Sequence, residues 1–457
     1  LDTIFPVRVN IQYSTIVTAN DGTVLYSFLS PDDKWRMKTE LPEIIPALKS
    51  AVVAKEDRWF YWHYGVNPVA IVRAAFNNII HQRTTSGAST ITMQVARLLE
   101  PKDRTFWNKI TETFRAVQLE LHYSKNEILQ MYLNLVPFGG NVEGVKAASL
   151  LYFGRLPDHL SLAQITALTI IPNRPTSLAL GKNNHLIQKE RNKWLRRFQK
   201  RALFPDRDIQ DALNEPLDAV RHDPPRTAPH FALRMKMMFP SEAIIKTALL
   251  NPIQQKIEQL AQNYSRRMRF MEVNNASVLI IDNQTHNVVG YIGNSDFNDI
   301  AHQGQVDGVK AIRSPGSALK PLIYALAIDK GLATPKTIIT DVPVNYNGFA
   351  PENFNRKFNG NVAVEKALAF SLNVPAVKTL DKMGVPLFVD KLQQLGFEQI
   401  RKDSRILGLS VALGGCGVRL EELTNMYCTF ANGGKFRPLQ WLNPSNSTQP
   451  RQVISEG

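Results

Sequence analysis

The first chemistry the sequence offers is a carboxylate at the end of an apolar run. Glu56 and Asp57 close a stretch in which Ile44, Leu48, Val52 and Val53 recur at helical spacing, and Arg58, Trp59, Phe60, Tyr61, Trp62 and His63 follow at once. An ionised carboxylate within hydrogen-bond reach of a hydroxyl can act as a general base. Taken alone, an acidic pair beside a basic residue reads as a solvated turn. His63 and Trp59 read as packed, hydrogen-bonded side chains without a chemical role. A second group begins at Gly87-Ala88-Ser89-Thr90-Ile91-Thr92-Met93-Gln94, a small-residue loop feeding a helix. A helix N-terminus presents free N–H groups and a positive dipole to an anion, and Arg97 and Arg104 add cations downstream. Lys109 and Glu112 stand at i,i+3, on one helical face, which by itself is an ordinary surface ion pair. A third group is Ser317-Ala318-Leu319-Lys320, one turn from hydroxyl to amine. An amine held neutral there can take the serine proton. Ser371-Leu372-Asn373 follows downstream.

These groups need elements to hold them. The chain has 457 residues, 44% hydrophobic and 21% charged, enough for two or three domains with cores of their own. Its formal charge of +14 implies an anionic partner: nucleic acid, a membrane surface or a phosphate-bearing substrate. The basic residues are dispersed except for Lys189, Arg191, Lys193, Arg196, Arg197, Lys200 and Arg201, which read as a solvated helix face. Two cysteines, Cys416 and Cys428, are too few for a disulfide framework or a cysteine metal cage. No run of about 18 apolar residues occurs and no secretory signal opens the chain. Its first residue is Leu1, so an anchor ahead of it is expected.

Residues 41–199 carry helical periodicity, with Ile110, Phe114, Val117 and Leu121 on one stripe. Capping boxes mark helix starts at Ser124 with Glu127 and at Ser161 with Gln164, and Pro172 stops the second helix. A connector richer in Pro and charge runs through 202–240. Beyond it, Ser277–Ile281 and Val288–Ile292 read as paired strands, and helices resume after Pro315-Gly316. The expected divisions are a first domain at 1–200, a linker at 201–250 and a mixed α/β domain at 251–457.

With the motifs in order, a resemblance becomes specific. Glu56-Asp57 through His63-Tyr64-Gly65-Val66-Asn67-Pro68, Ser86 through Gln94, Asn108-Lys109-Ile110-Thr111-Glu112, and Ser124 through Asn134 with Phe138-Gly139-Gly140-Asn141-Val142-Glu143-Gly144 look like the successive motifs of the peptidoglycan glycosyltransferase domain of class A penicillin-binding proteins, the family 51 glycosyltransferases. Ser317-Ala318-Leu319-Lys320, Pro351-Glu352-Asn353-Phe354 and Ser371-Leu372-Asn373 resemble the transpeptidase domain of the 1C-type penicillin-binding proteins. The fold so implied is multidomain: a mainly α lysozyme-like glycosyltransferase domain, then an α/β (α+β) serine transpeptidase/β-lactamase-like domain. No Lys-Thr-Gly follows Asn373, so the family's third motif is expected beyond Gly457, with the domain incomplete and its transpeptidation in doubt.

The resemblance implies polymerisation of lipid II into glycan strands with release of undecaprenyl pyrophosphate. Glu56 would be the general base, with Glu112 as its partner, steadying positive charge at the donor carbon or helping to hold a divalent ion such as Mg or Mn. Ser89, Thr90, Gln94, Arg97, Arg104 and Lys109 would bind the pyrophosphate. Ser317 would attack a D-Ala-D-Ala bond or a β-lactam, Lys320 would accept its proton, and Ser371 and Asn373 would relay protons and orient substrate. Ala88, Asn67, Met93, Asn108 and Gln164 depart from the family's usual residues. The resemblance places the chain at the bacterial inner membrane, on the periplasmic face, among cell-wall synthesis proteins. The run Val69–Ile80 reads equally as a lipid-facing segment or a buried helix. Two other functions compete: a non-catalytic penicillin-binding scaffold, and a lysozyme-like wall-degrading glycosidase using Glu56 and Glu112 as acid and base with water as acceptor. Nucleic acid is disfavoured, because the basic residues lack interleaved aromatic platforms.

Overall fold

Thr90, Thr105, Ser124 and Ser161 each stand just before a helix, and in the structure each side chain accepts a hydrogen bond from a backbone N–H of the first turn. Such caps satisfy donors that the helix itself leaves open. Both expected capping boxes are closed reciprocally, Ser124 with Glu127 and Ser161 with Gln164. The structure is a computed structural model that describes residues 6–7, 9–70, 89–103, 105–444 and 449–455. Its contacts divide the chain into two units, 1–16 with 26–225 and 241–244, and 17–25 with 226–240 and 245–457.

The first unit is helical. Its helices are α1 (Pro46–Glu56), α2 (Ile91–Leu99), α3 (Phe106–His122), α4 (Lys125–Leu135), α5 (Val145–Phe153), α6 (Leu162–Ile170), α7 (Asn184–Lys200) and α8 (Asp206–Asn214). Apolar residues cover almost the whole circumference of α6, and Ala163, Ile165, Ala167, Leu168 and Ile170 are buried, as expected of a central helix. It packs against α1, α7 and α8. α2 packs against α3 and α4 through Ile91, Val95, Leu119, Leu129 and Leu133, all fully buried. Each such side chain contributes about 1.5–3 kcal/mol when removed from water. A small sheet joins Trp35–Arg36 in parallel to Val142–Glu143, which pairs antiparallel with Pro137–Gly139.

Two expectations for this region change. The stretch 201–250, expected as a linker, is shared between the units: α8 buries Ile209 and Ala212 and packs on α7, because those two apolar positions give it a core-facing side. The basic face of α7 is not wholly solvated either. Arg191 is fully buried, and its two terminal guanidinium nitrogens have no hydrogen-bond partner.

The second unit mixes helices with short strand pairs. α9 (Pro229–Met238) and α10 (Asn251–Met268) precede the antiparallel strands Val278–Ile281 and Val288–Ile292. A 3-10 turn, Gly316–Leu319, runs straight into α11 (Lys320–Asp329). The strand Ile338–Asp341 pairs antiparallel with Gly360–Ala363, with Asp341 opposite Gly360. Helices α12 (Val364–Ala369), α13 (Asn373–Met383), α14 (Val385–Gln394), α15 (Glu398–Asp403) and α16 (Leu420–Ala431) complete it. Leu319, Leu322, Ile323 and Leu326 sit in one apolar core with Val377, Leu380, Phe388, Leu392 and Phe397. That core anchors the turn bearing Ser317 and the start of the helix bearing Lys320. Gly414 closes against it with φ +85, and a Cβ there would strike the backbone of Gly316.

Candidate active sites

In the first unit the site is assembled around α2. Asp57, just past the last residue of α1, accepts hydrogen bonds from the backbone N–H of Ile91 (3.1 Å) and from His63 Nε2 (2.9 Å). It thereby ties the end of α1 to the start of α2. Gly65 follows at φ +78, where a Cβ would lie 2.7 Å from the Ala116 carbonyl oxygen of α3. Only glycine fits so close an approach at positive φ. Thr90 Oγ1 donates to the Gly65 carbonyl (2.5 Å) and accepts from the N–H of Met93 (3.1 Å). Thr90, expected among the pyrophosphate ligands, is therefore buried and spent at both ends on the scaffold.

Glu56, the last residue of α1, has a nearly buried carboxylate that pairs with Lys55 and accepts from Gln94 Nε2 at 3.1 Å. Gln94 therefore orients Glu56. One turn further along α2, Arg97 faces Glu112 of α3 at 3.7 Å. Lys109 pairs with Glu112 and donates to Ser89 Oγ at 2.8 Å. A cavity of about 390 Å³ opens beside them, lined by Ser89, Arg97, Lys102, Lys109, Glu112 and Arg115 among others. Glu112 is 11% exposed and Lys109 43%, so the carboxylate is fixed in the wall while the ammonium reaches the opening. Cations outside a fixed carboxylate suit a leaving anion.

Two side chains had no role assigned from sequence. Glu120 is a buried carboxylate held by Lys125 Nζ (2.7 Å) and Thr92 Oγ1 (2.6 Å), while Lys125 also reaches the carbonyl of His63 (2.5 Å). Tyr132 of α4 is 1% exposed and its hydroxyl has no hydrogen-bond partner. Burial, with the negative charge of Glu56 beside it, pushes its pKa well above the ordinary value, and Arg97 opposes that shift. Lys125 and Tyr132 lie inside a recognised motif, but nothing in their spacing shows what they touch.

Departures from the family pattern are absorbed locally. Asn67 caps the N–H of Ala70 (3.0 Å), Asn108 donates to the Asp103 carbonyl (2.9 Å), Met93 is buried in the core, and Gln164 closes its capping box. Ser86, Gly87, Ala88, Arg104 and nearly all of Val69–Ile80 lie outside the described residues. Among the described residues no group of three or more His, Cys, Asp or Glu could hold a metal ion. Glu112 already faces two cations, a donor set that does not fit a dedicated divalent site.

In the second unit, Lys320 is 1% exposed. Its Nζ donates to the Ser371 carbonyl (2.7 Å), to Asn373 Oδ1 (2.6 Å) and to Ser371 Oγ (3.2 Å). Ser371 reaches this position at φ +52, a conformation costly for a residue with a side chain. All three acceptors are uncharged, and burial lowers the Lys320 pKa from 10.5 to about 8. Ser317 is exposed on the preceding turn. Among the described residues no hydrogen bond joins it to Lys320, so the structure brings Lys320, Ser371 and Asn373 together and leaves Ser317 one turn away.

Comparison with known proteins follows the same division. The Transglycosylase family model matches residues 21–199, and the Penicillin binding protein transpeptidase domain model matches residues 276–456. Penicillin-binding protein 1C of Escherichia coli is 36% identical over all of this chain, which covers 59% of that protein. Penicillin-binding protein 2D of Bacillus subtilis is 30% identical over 93% of the chain, covering 63% of its length. The chain thus spans about six-tenths of these curated relatives. The crystal structure of penicillin-binding protein 1A from Haemophilus influenzae shares the fold with a TM-score of 0.50 at 16% identity, over 98% of this chain and 73% of that one.

Proposed function

Because the chain belongs to the class A penicillin-binding proteins, with a transglycosylase domain followed by a transpeptidase domain, we propose that its first unit polymerises lipid II into glycan strands and releases undecaprenyl pyrophosphate. The observation that carries this reading is the Gln94-oriented Glu56 on the same helix framework as the Lys109/Glu112/Arg97 cluster and its cavity. Glu56 takes the proton from the acceptor sugar hydroxyl, whose oxygen then bonds to the anomeric carbon of the donor. The bond from that carbon to pyrophosphate breaks, and its electron pair leaves on the pyrophosphate. Lys109, Arg97 and Ser89 receive that charge, and Glu112 holds Lys109 and Arg97 in place. These groups act where charge develops, which makes them more valuable in the transition state than in the ground state.

The second unit supports a reading as a serine acylation centre for D-Ala-D-Ala peptides and β-lactams. Ser317 is the nucleophile, and Lys320, held neutral more readily by burial, accepts its proton. A lipid-linked substrate supports work at a membrane surface, which the family resemblance puts on the periplasmic face of the inner membrane. Exposed Trp59, Tyr61, Trp62 and Tyr64 suit a membrane interface. No helix among the described residues is long and apolar enough to cross a membrane. The test is polymerisation of lipid-linked disaccharide by wild type, Glu56→Gln and Glu112→Gln, with and without divalent ion. Strand lengthening that depends on Glu56 supports the reading. Shortening of wall glycan would make the protein a glycosidase, and neither product would make it a scaffold.

A further inference from the structure

Lys320 does not meet its acceptors by chance, because a second layer of amides fixes the one on Asn373. Asp341, at the end of the strand Ile338–Asp341, is fully buried and has no cationic partner in its hydrogen-bond set. Both its oxygens accept from Asn353 Nδ2, at 2.9 Å each, and one also accepts from the N–H (2.9 Å) and Nδ2 (2.6 Å) of Asn359. A carboxylate can only accept, so Asn353 must turn its nitrogen toward Asp341 and its oxygen away. Asn353 Nδ2 also donates to the Lys357 carbonyl at 2.9 Å, which reinforces the same orientation.

That oxygen meets the start of α13. Asn353 Oδ1 accepts from the backbone N–H of Asn373 at 2.8 Å, one of the donors that a helix leaves open in its first turn. The residue before it, Leu372, offers no side-chain cap, so the cap comes from twenty residues upstream. The neighbouring carbonyl of Glu352 accepts from Asn373 Nδ2 at 2.7 Å. With its nitrogen so engaged, Asn373 presents Oδ1 to Lys320 Nζ. Main chain and side chain of Asn373 are both held by residues 352–353, and residue 353 is itself oriented by Asp341.

We propose that Asp341 and Asn353 are positioning residues of the acylation centre: they hold the backbone N–H of Asn373 against residues 352–353, where the Glu352 carbonyl engages Asn373 Nδ2 and leaves the amide oxygen facing Lys320. Neither touches the reacting atoms. The pair acts through Asn373, and the proposal rests on the reading of Ser317 as the nucleophile. Without this support the Asn373 amide can rotate and offer Lys320 a donor, which the ammonium form repels and the neutral form cannot use to orient its lone pair toward Ser317.

The test uses the full 457-residue chain as wild type, Asn353→Ala, Asn353→Asp, and Asn353→Asp combined with Asp341→Asn. Asn353→Asp alone sets two carboxylates face to face. The double variant restores a donor opposite an acceptor while keeping an acceptor for the N–H of Asn373. Two quantities are read: deuterium exchange at the Asn373 amide by NMR, and acylation of Ser317 by fluorescent penicillin, separated into initial binding and the bond-forming rate. Asn353→Ala is expected to speed exchange at Asn373 and to slow bond formation about 100-fold with initial binding unchanged, the scale of a misplaced catalytic group. The double variant should recover most of what Asn353→Asp loses. The proposal is overturned if Asn353→Ala leaves exchange and acylation at wild-type rates. It is equally overturned if the double variant melts like wild type but acylates no faster than Asn353→Asp, which would make the pair structural only. If wild type takes no label, the Ser317 reading falls, and exchange at Asn373 alone decides whether Asp341 and Asn353 hold it.

Discussion

Lys109 and Lys320 are both lysines one turn from a functional partner, and the two units treat them in opposite ways. Lys109 is 43% exposed beside a cavity, pairs with the Glu112 carboxylate and donates to a serine hydroxyl. Lys320 is 1% exposed, and its acceptors are a carbonyl, an amide oxygen and a hydroxyl, with no carboxylate among them. An ion pair open to a cavity suits a group that must meet an anion and remain a cation. Burial among neutral acceptors suits one that must give up its proton and take another. In the proposed reading the same residue type serves as electrostatic clamp in one domain and as base in the other. Its surroundings make the difference.

The largest effect is expected at Glu56 of the first site. If Glu56 removes the acceptor proton, Glu56→Gln lowers polymerisation of lipid-linked disaccharide by about 10²–10⁴-fold without altering penicillin labelling of Ser317. Equal loss in both assays would mean that the substitution merely unfolds the protein. Next in size, Lys109→Ala removes one stabilising donor and is expected to cost about 10²–10³-fold in polymerisation rate, with the loss mainly in turnover at saturating substrate.

The second site gives a pH test with a definite sign. Ser317 acylation needs Lys320 neutral, so its rate should rise about tenfold per pH unit up to roughly the pKa and then level off, with the bend at about 8. A flat profile from pH 6 to 10 would remove Lys320 as proton acceptor. Because its folded pKa lies below the unfolded value of 10.5, the unfolded chain binds more protons between those values. Stability should therefore gain from this group as pH rises from about 8 to 10.5, and thermal melts across that window measure it.

The smallest effect sharpens the first site. Tyr132→Phe deletes a buried hydroxyl that has no partner, so stability should stay level or rise by up to about 1–3 kcal/mol. A clear loss of polymerisation with unchanged melting would show that the hydroxyl contacts substrate. A loss of stability would show that it has an unseen partner.

Much of the scaffold was legible locally. The capping boxes at Ser124 and Ser161 and the Lys109/Glu112 pair lie within four residues of chain, where helical geometry alone fixes who meets whom; the Ser317/Lys320 tetrapeptide is as local, yet Lys320 turns to Ser371 and Asn373 instead. The ordered motifs identified both domains and named Glu56, Glu112 and Ser317. Less visible was the work of residues that close loops. Thr90 read as a phosphate ligand and is a cap, Gln94 read as a phosphate ligand and orients Glu56, and Asp57 carried no assigned role although it ties α1 to α2.

What the sequence determined by itself, then, was the inventory: two domains, the residue types of their candidate centres, and the caps and ion pair set by one turn of helix. The tertiary structure decided which residues share a site across longer stretches, Glu56 with Gln94 over 38 residues, Ser89 with Lys109 over 20, and Lys320 with Asn373 over 53. It also decided which of two lysines is buried. Neither follows from spacing, because a chain separated by tens of residues can close in many ways at similar entropic cost. Only the packing of the apolar core selects one closure, and with it the solvent exposure that sets the chemistry of each lysine.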